Sequence, residues 1–311
     1  TEAQNPSVSV VMATYNRSNV LRYALETVRW QSVRDWECLV VGDACTDDTA
    51  EVVASFEDPR IRFSNLAVNV GEQSGPNNEG CRLARGRFIA FLNHDDFWFP
   101  EHLEVALRAL EETGADMVFT LSDIVKPGAG RFKPHRLMNC APSLRYDPRI
   151  NVPASTWVMR RETMEAAGPW KFYRECYLVP SQDWVFRAWK AGKDMRLVPE
   201  LTVIELPSGK RPDCYRNRED VEHAAVFDRM RADPRFRERE LTDIAMGYRM
   251  HWFDLQSPRY LMRQAMRSLF DKLLLRAKIH PSSVRTWWRD GRKGAIIDRL
   301  RRNRGLPDLN R

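Results

Sequence analysis

A chain of 311 residues exceeds the length at which single cores usually stop growing, so one large domain with an appendage, or two domains, is expected. Its 43% hydrophobic and 29% charged residues exclude wholesale disorder, and no run approaches the roughly 20 apolar residues that a bilayer crossing needs. The net charge of +7 is unevenly placed: residues 259–304 hold fourteen Lys/Arg against three Asp, a local +11 that leaves the rest of the chain at −4, which excludes a uniformly basic nucleic-acid binder and marks one polyanion-facing region.

Residues 7–14 (SVSVVMAT) form a short β-branched apolar run, as expected of a strand covered on both faces in a parallel sheet. Ser18 is placed to cap a helix in which Leu21, Leu25 and Val28 repeat at helical spacing as far as Gln31. Residues 37–42 (ECLVVG) read as a second strand, and Thr46 or Asp47 caps a helix carrying Val52, Val53 and Phe56. A weaker strand at 61–65 precedes a turn-rich segment, 71–80, that leads into a short helix. The run 87–92 (RFIAFL) is a buried strand. Pro100 then stands in the first turn of a helix lined by Leu103, Leu107 and Leu110, and 116–120 supplies a further strand. Such alternation predicts an α/β fold with an open, mostly parallel central sheet flanked by helices.

Beyond Asp123 the pattern loosens, and 126–143 reads as a mobile Pro-, Gly- and Arg-containing loop. Order returns at 155–160, with helices at 162–167 and 183–191 and an extended stretch at 195–206; from Glu219 the chain is mainly helical, broken at Pro234, Pro258 and Pro281. Six scattered cysteines without a C-x-x-C pair predict reduced thiols. With no basic-then-apolar leader, the expected location is cytoplasmic.

In an open parallel sheet, ligands bind beyond the carboxyl ends of the strands. Three polar clusters stand there: Thr14-Tyr15-Asn16-Arg17, Asp43, and His94-Asp95-Asp96. Neither G-x-G-x-x-G nor G-x-x-x-x-G-K-[ST] occurs, so a dinucleotide fold or phosphate loop is not supported. Adjacent Asp95 and Asp96 repel unless a cation or donor shares them, and hard oxygen ligands suit Mg2+ or Mn2+; the alternative is that one of them caps the helix near Pro100.

The runs VSVVMATYNR, LVVGDACTDDT and GRFIAFLNHDDFWFPEHL, at these spacings, resemble the nucleotide-sugar-binding half of family 2 glycosyltransferases over residues 7–123, and SQDWVFRAWKAGKDMRLVPE resembles the acceptor-side stretch. The resemblance implies a GT-A nucleotide-diphospho-sugar transferase fold and an inverting glycosyltransferase, of the kind that builds bacterial polysaccharides or glycoconjugates. It divides the chain into a catalytic domain at 1–215 (7–123 for the donor, 124–215 for the acceptor) and a helical basic region at 216–311. It places Thr14 and Tyr15 at the nucleoside, Asp43 on the base, and Arg17 and Asn78 among the donor contacts. Asp95 and Asp96 fall in the acidic metal motif for Mn2+ or Mg2+, with Asp96 as the direct ligand and Asp95 also facing ribose or sugar. Asp183 falls at the catalytic base, with Gln182 and Trp184 on the acceptor side. Here Gly42-Asp43 stands for a usual acidic pair, Asn93 and Gln182 for usual acids, and Asn77-Asn78 for a usual Arg-Asn.

Trp157, Trp170, Trp184 and Trp189 are candidates to stack on sugar rings, with core packing as the alternative. His223 and His251 are candidates to complete a metal site, against a structural role. In the tail, Met262, Met266, Leu269 and Leu273 form an apolar stripe beside Arg259, Arg263 and Arg267, and Trp287, Trp288, Ile296, Ile297 and Leu300 continue it. That pattern suits an anionic membrane surface contacted through 259–304, which would dock a peripheral enzyme beside a glycan or lipid-linked acceptor; a solvated face on helices packed against the catalytic domain is the alternative. A nucleotidyltransferase, or a non-catalytic polyanion- or membrane-binding protein, are the competing functions; nucleic acid is not expected as a partner.

Overall fold

The computed structural model describes residues 5–127, 132, 136–141, 143–252, 256–307 and 309, so much of the loop expected at 126–143 lies outside the described residues. In chain order the elements are β1 (Val8–Thr14), α1 (Ser18–Arg29), β2 (Trp36–Gly42), α2 (Thr49–Ala54), β3 (Ile61–Asn65), α3 (Ser74–Leu83), β4 (Phe88–Phe91), β5 (Asp96–Trp98), α4 (His102–Thr113), β6 (Met117–Ile124) and β7 (Leu137–Met138). There follow β8 (Trp157–Arg160), α5 (Arg161–Ala167), α6 (Pro180–Lys190), β9 (Met195–Glu205), α7 (Cys214–Asn217), α8 (Val221–Ala232), α9 (Phe236–Met250), α10 (Pro258–Arg276), α11 (Pro281–Asp290) and α12 (Ala295–Asn303).

The described strands form one sheet in the order β3-β2-β1-β4-β8-β6-β9-β5, with β7 paired to β6. The continuous apolar runs of β1, β2 and β4 pair in parallel, as do β2 and β3, so their carboxyl ends open on one side. Past β4 the sheet mixes: β8 runs antiparallel to both β4 and β6, β9 runs parallel to β6, and β5 returns antiparallel along β9. This mixed α/β sheet with helices about it and a helical C-terminal portion is the GT-A fold.

Apolar side chains on the two faces of the sheet make separate cores. One joins Val10, Met12 and Val40 to Leu21, Leu25 and Val28 of α1 and Leu103 and Leu110 of α4. The other joins Val11, Ile89 and Phe91 to Trp157, Trp170 and Trp184. Two helix starts differ from expectation. Ser18 is the first helical residue, not the cap, and its hydroxyl donates to Asp48 Oδ1 at 2.6 Å. The second helix begins at Thr49, whose N–H and hydroxyl both reach Asp47 Oδ1. Asp47 thus holds the start of its own helix, while Asp47 and Asp48 also take the Ser18 N–H and hydroxyl, so the two β-α junctions brace one another.

Candidate functional site

The parallel strands end together because their registers are aligned: Thr14 lies opposite Gly42 across β1 and β2, and Asp43 N–H donates to Thr14 O at 2.8 Å. Beyond them lies a cavity of about 240 Å3 lined by Thr14 and Tyr15 after β1, Asp43 after β2, and Asn93, His94, Asp95 and Asp96 between β4 and β5. Its other walls come from the 71–76 segment, from Val179 and Ser181 at the start of α6, from Glu205, Pro207, Ser208 and Tyr215, and from Ile297, Leu300, Arg301, Arg304 and Leu306. The three sequence clusters thus converge on one crevice.

Each cavity residue is tied to a particular support. Asn16 sits at positive φ (47°), which an asparagine tolerates, and its Oδ1 accepts the Thr46 and Asp47 N–H groups. Asp43 accepts Val70 N–H and Gly71 N–H, each at 2.7 Å, and so holds the loop that forms the next wall. Burial raises its carboxyl above the usual range, opposed by those two N–H groups and by Arg301. The Thr14 hydroxyl is buried without a hydrogen-bond partner among the described residues, which leaves it for a ligand. Tyr15 stacks on Tyr215 at a centroid distance of 6.2 Å.

His94 Nδ1 lies 3.1 Å from Ala13 O; a carbonyl only accepts, so Nδ1 carries the hydrogen and Nε2 faces the Tyr215 hydroxyl as acceptor. Burial lowers the His94 pKa, opposed by the neighbouring Asp95 carboxylate. The two aspartates differ sharply. Asp96 spends both oxygens on protein donors: Leu206 N–H at 3.1 Å on Oδ1, and Asn93 Nδ2 at 2.9 Å and Ser155 Oγ at 2.5 Å on Oδ2. Asp95 receives only Ser208 N–H, at 2.8 Å on Oδ2, and its other oxygen meets no protein donor among the described residues. Burial, with Asp95 next to it, pushes Asp96 up to about 7. For Asp95, burial is outweighed by His94, His223, the Ser208 N–H and Arg304, and its carboxyl is held below the ordinary range.

Glu205 lies directly opposite Asp96 in the β5–β9 pairing, and accepts the Ser122 hydroxyl. Burial and Asp96 together push it up to about 8. A carboxylic acid facing a carboxylate is how two such groups coexist in one buried register position. Among the described residues no group of three His, Cys, Asp or Glu is arranged to hold a metal. A Mg2+ or Mn2+ shared with substrate phosphates needs only one or two protein carboxylates, and the unpaired oxygen of Asp95 meets that requirement.

Other sequence-predicted residues lie around the cavity, not on it. Arg17 is fully buried, donates to Cys214 O and sits 5.3 Å from the Tyr215 ring centroid, beneath the aromatic wall. Asn78 pairs with the Trp170 backbone in both directions, at 2.8 and 2.9 Å. Asp183 lies in the first turn of α6, two residues after the cavity-lining Ser181, and its Oδ2 accepts Arg187 Nε at 2.9 Å. Gln182 is spent on the Val152 backbone. Trp184 is buried, with Nε1 donating to Gly168 O, and stacks with Trp157 and Trp170, so these three rings are core. Trp189 stacks on Phe186, whose ring in turn meets His280 edge-to-face. Neither His223, packed edge-on to Phe97, nor His251, whose Nδ1 faces Gly247 O, lines the cavity. Sequence reasoning missed Glu205, Tyr215, Arg301 and Arg304; only the acidic end of an otherwise apolar strand (TVIEL) hinted at the first.

The profile of Glycosyl transferase family 2 matches residues 9–174, more than half of the chain. The chain belongs to that family. Among curated relatives it is 30% identical over 118 residues to the UDP-Glc:alpha-D-GlcNAc-diphosphoundecaprenol beta-1,3-glucosyltransferase WfgD of Escherichia coli, covering 38% of this chain and 46% of that protein. It is 35% identical over 120 residues to the succinoglycan biosynthesis protein ExoO of Rhizobium meliloti, covering 39% of this chain and 34% of that one. The matched stretch thus spans less than half the length of these relatives. Among solved structures, S. aureus TarS 1-349 in complex with UDP-GlcNAc superposes with a TM-score of 0.56 at 19% identity, covering 92% of each chain. The mannosyltransferase PcManGT from Pyrobaculum calidifontis, in complex with GDP-Man and Mn2+, superposes with a TM-score of 0.52 at 16% identity, covering 93% of this chain and 89% of that one. These last two likenesses bear on the fold.

Proposed function

We propose that this family 2 member transfers a sugar, with inversion, from a nucleotide-diphosphate sugar to an acceptor hydroxyl in the assembly of a bacterial-type polysaccharide or glycoconjugate. The observation that carries the reading is the convergence of Thr14, Asp43 and Asp95, from three strand ends, on one cavity that also contains two arginines. The nucleoside lies against Thr14, whose orphan hydroxyl gains a partner, and Tyr15, with Asp43 holding the 70–71 loop around the base. Arg17 and Asn78 support this wall from behind.

Asp95, not Asp96, is the carboxylate we assign to a divalent cation and the donor, because Asp96 has no oxygen to spare. A Mg2+ or Mn2+ ion bound there supplies Lewis-acid neutralisation of the departing diphosphate. Asp183 takes the proton of the attacking hydroxyl, a contribution of about 10²- to 10⁴-fold in rate. Arg187 steers its carboxylate, leaving the second oxygen for the acceptor. Gln182 and Trp184 shape that turn through the backbone and the core.

The exposed face of α10 fits an acceptor held at a membrane. Met262, Met266, Leu269 and Leu273 are each more than half exposed, beside exposed Arg259, Arg263 and Arg267, and only Asp271 of this helix is buried. A stripe of that kind lies in an anionic interface with its basic residues at the headgroups, each contributing about 1 kcal/mol. No helix among the described residues is long and apolar enough to cross a membrane.

Thermal-shift titration with UDP-, GDP- and dTDP-sugars, with and without Mn2+, tests the donor reading. A donor at 100 times its dissociation constant adds about 2.7 kcal/mol of stability. No shift with any of them, and no sugar transfer, would remove the nucleotide-sugar assignment.

A further inference from the structure

A guanidinium taken out of water costs several kcal/mol unless an anion or a full set of acceptors receives it. Two arginines, Arg301 in α12 and Arg304 immediately after it, break this expectation at the cavity wall. Arg301 is 3% exposed; it donates to the carbonyls of Gly71 (2.6 Å) and Pro307 (2.8 Å), and its Nε is buried without a partner. Arg304 has no side-chain hydrogen bond among the described residues, and its Nε is likewise buried and unpartnered. Neither stands within 4.0 Å of a carboxylate in any ion pair of the described residues, although the cavity they line contains Asp43, Asp95 and Glu205.

These side chains are held in place. Asp213 N–H donates to Asn303 O at 2.8 Å, Tyr215 N–H to Arg304 O at 3.1 Å, and Asn303 Nδ2 to Gly209 O at 3.0 Å, while Ala295 and Ile297 are buried. Spaced three residues apart, Arg301 and Arg304 share one helix face, so both forks point into the same crevice. Opposite them lie the orphan Thr14 hydroxyl and the unpaired oxygen of Asp95.

We propose that Arg301 and Arg304 grip the diphosphate of the donor, so that α12 is a wall of the active site and not part of a separate appendage. The inference rests on the nucleotide-sugar reading and adds to it the residues that hold the leaving group. Planar guanidinium forks match phosphate oxygens, and a diphosphate meets the N–H groups that the protein leaves bare. It also explains why a crevice rich in carboxylates accepts an anion: the two charges offset Asp95 and Asp43 at the point where phosphates enter.

The test is calorimetric titration of the full chain with each of UDP, GDP and dTDP, and with the matching nucleosides. Variants are Arg304→Gln, Arg301→Gln and, as a control on an exposed side chain of the same helix, Arg302→Gln. Loss of one charge-assisted contact lowers diphosphate affinity about 10- to 150-fold, while nucleoside affinity holds within about twofold. Arg302→Gln binds as wild type. Equal losses for nucleoside and diphosphate, or an unchanged preference for the diphosphate in Arg304→Gln, would overturn the clamp. Should Arg301→Gln fail to fold through loss of its two carbonyl contacts, Arg304→Gln alone decides. A wild-type chain that binds none of the three diphosphates defeats the nucleotide-sugar reading itself, a result distinct from failure of the clamp.

Discussion

Replacing Asp96 and Asp95 one at a time separates a structural carboxylate from one that meets the ligand. In Asp96→Ala three donors lose their acceptor; the Ser155 hydroxyl can turn away, but the buried Leu206 N–H and the part-buried Asn93 amide are left unmatched. At about 1–3 kcal/mol for each abandoned donor, the loss is about 2–6 kcal/mol, a large part of the 5–15 kcal/mol that typically stabilises a domain. Asp96→Asn behaves differently. Its oxygen keeps Leu206 N–H, and its amide is received by Asn93 turned end for end, so the cost falls to about 1 kcal/mol. A carboxyl already raised to about 7 loses little by becoming neutral. Asp95→Asn keeps an acceptor for Ser208 N–H but gives up a charge that the folded chain favours, so it lowers the urea midpoint modestly at neutral pH, and it weakens Mn2+-dependent binding of the donor about 10- to 150-fold, as removal of one charged contact does. Urea midpoints measure the first quantity, and titration with the nucleotide-sugar in Mn2+ the second. If Asp96→Asn abolished Mn2+-dependent binding at an unchanged urea midpoint, while Asp95→Asn bound normally, the two roles would be exchanged and the reasoning from occupied oxygens would be wrong.

Asp183→Asn lowers kcat by about 10²- to 10⁴-fold and leaves the donor dissociation constant within error, because the lost group handles the acceptor's proton; near-normal turnover would end the base assignment. Glu205 titrates at about 8 in the folded chain against an ordinary 4.5, so the folded state binds the extra proton between those values, and the resulting stability is present below pH 4.5 and lost as pH rises through 8. Glu205→Gln therefore removes a loss of stability on the order of a few kcal/mol between pH 5 and 9, read as a flatter fall in Tm; parallel wild-type and variant curves would show that Glu205 is not protonated by its setting. Changing Met262, Met266, Leu269 and Leu273 together to Ser removes flotation with anionic liposomes while leaving donor binding intact. Unchanged flotation would assign the basic helix to some other role.

The donor half was readable because its strands obey local rules. β1, β2 and β4 are largely apolar runs covered on both faces, and the polar residues that follow each run have nowhere to go but the strand end. Thr14, Asp43 and Asp95 could be placed together on that ground alone. What could not be read was how each is occupied. That Asp96 is saturated depends on Ser155 and Leu206, 59 and 110 residues away in sequence, which no spacing rule relates to a strand end. The antiparallel half was harder for a similar reason: β5 is three residues long and carries no periodicity, and it exists because β9 offers it an edge. Trp157, Trp170 and Trp184 present the converse case. Large rings beside polar residues read equally as sugar platforms or as core, and only their mutual stacking decides for core.

The two basic helices near the chain's end carry the same kind of pattern and meet opposite fates, and this is why periodicity left both readings of the tail open. In α10 the apolar stripe has almost no partner, and Met262, Met266, Leu269 and Leu273 remain in solvent. In α12 the residues Ala295 and Ile297 are buried against the catalytic body, and Leu300 lines the cavity. An amphipathic stripe states only that a helix has a face to bury; it does not state against what. The arginines decide what each helix can do once that face is placed. On α10 they stay exposed, while at α12 burial of the apolar residues carries Arg301 inward and brings the part-buried Arg304 to the cavity wall, where a bound phosphate would meet the N–H groups that the protein leaves bare. On the two proposals made above, the concentrated positive charge of residues 259–304 would divide between two anions, a surface outside and a leaving group within. Removing the whole segment would abolish both at once, so only substitutions confined to one helix can tell them apart.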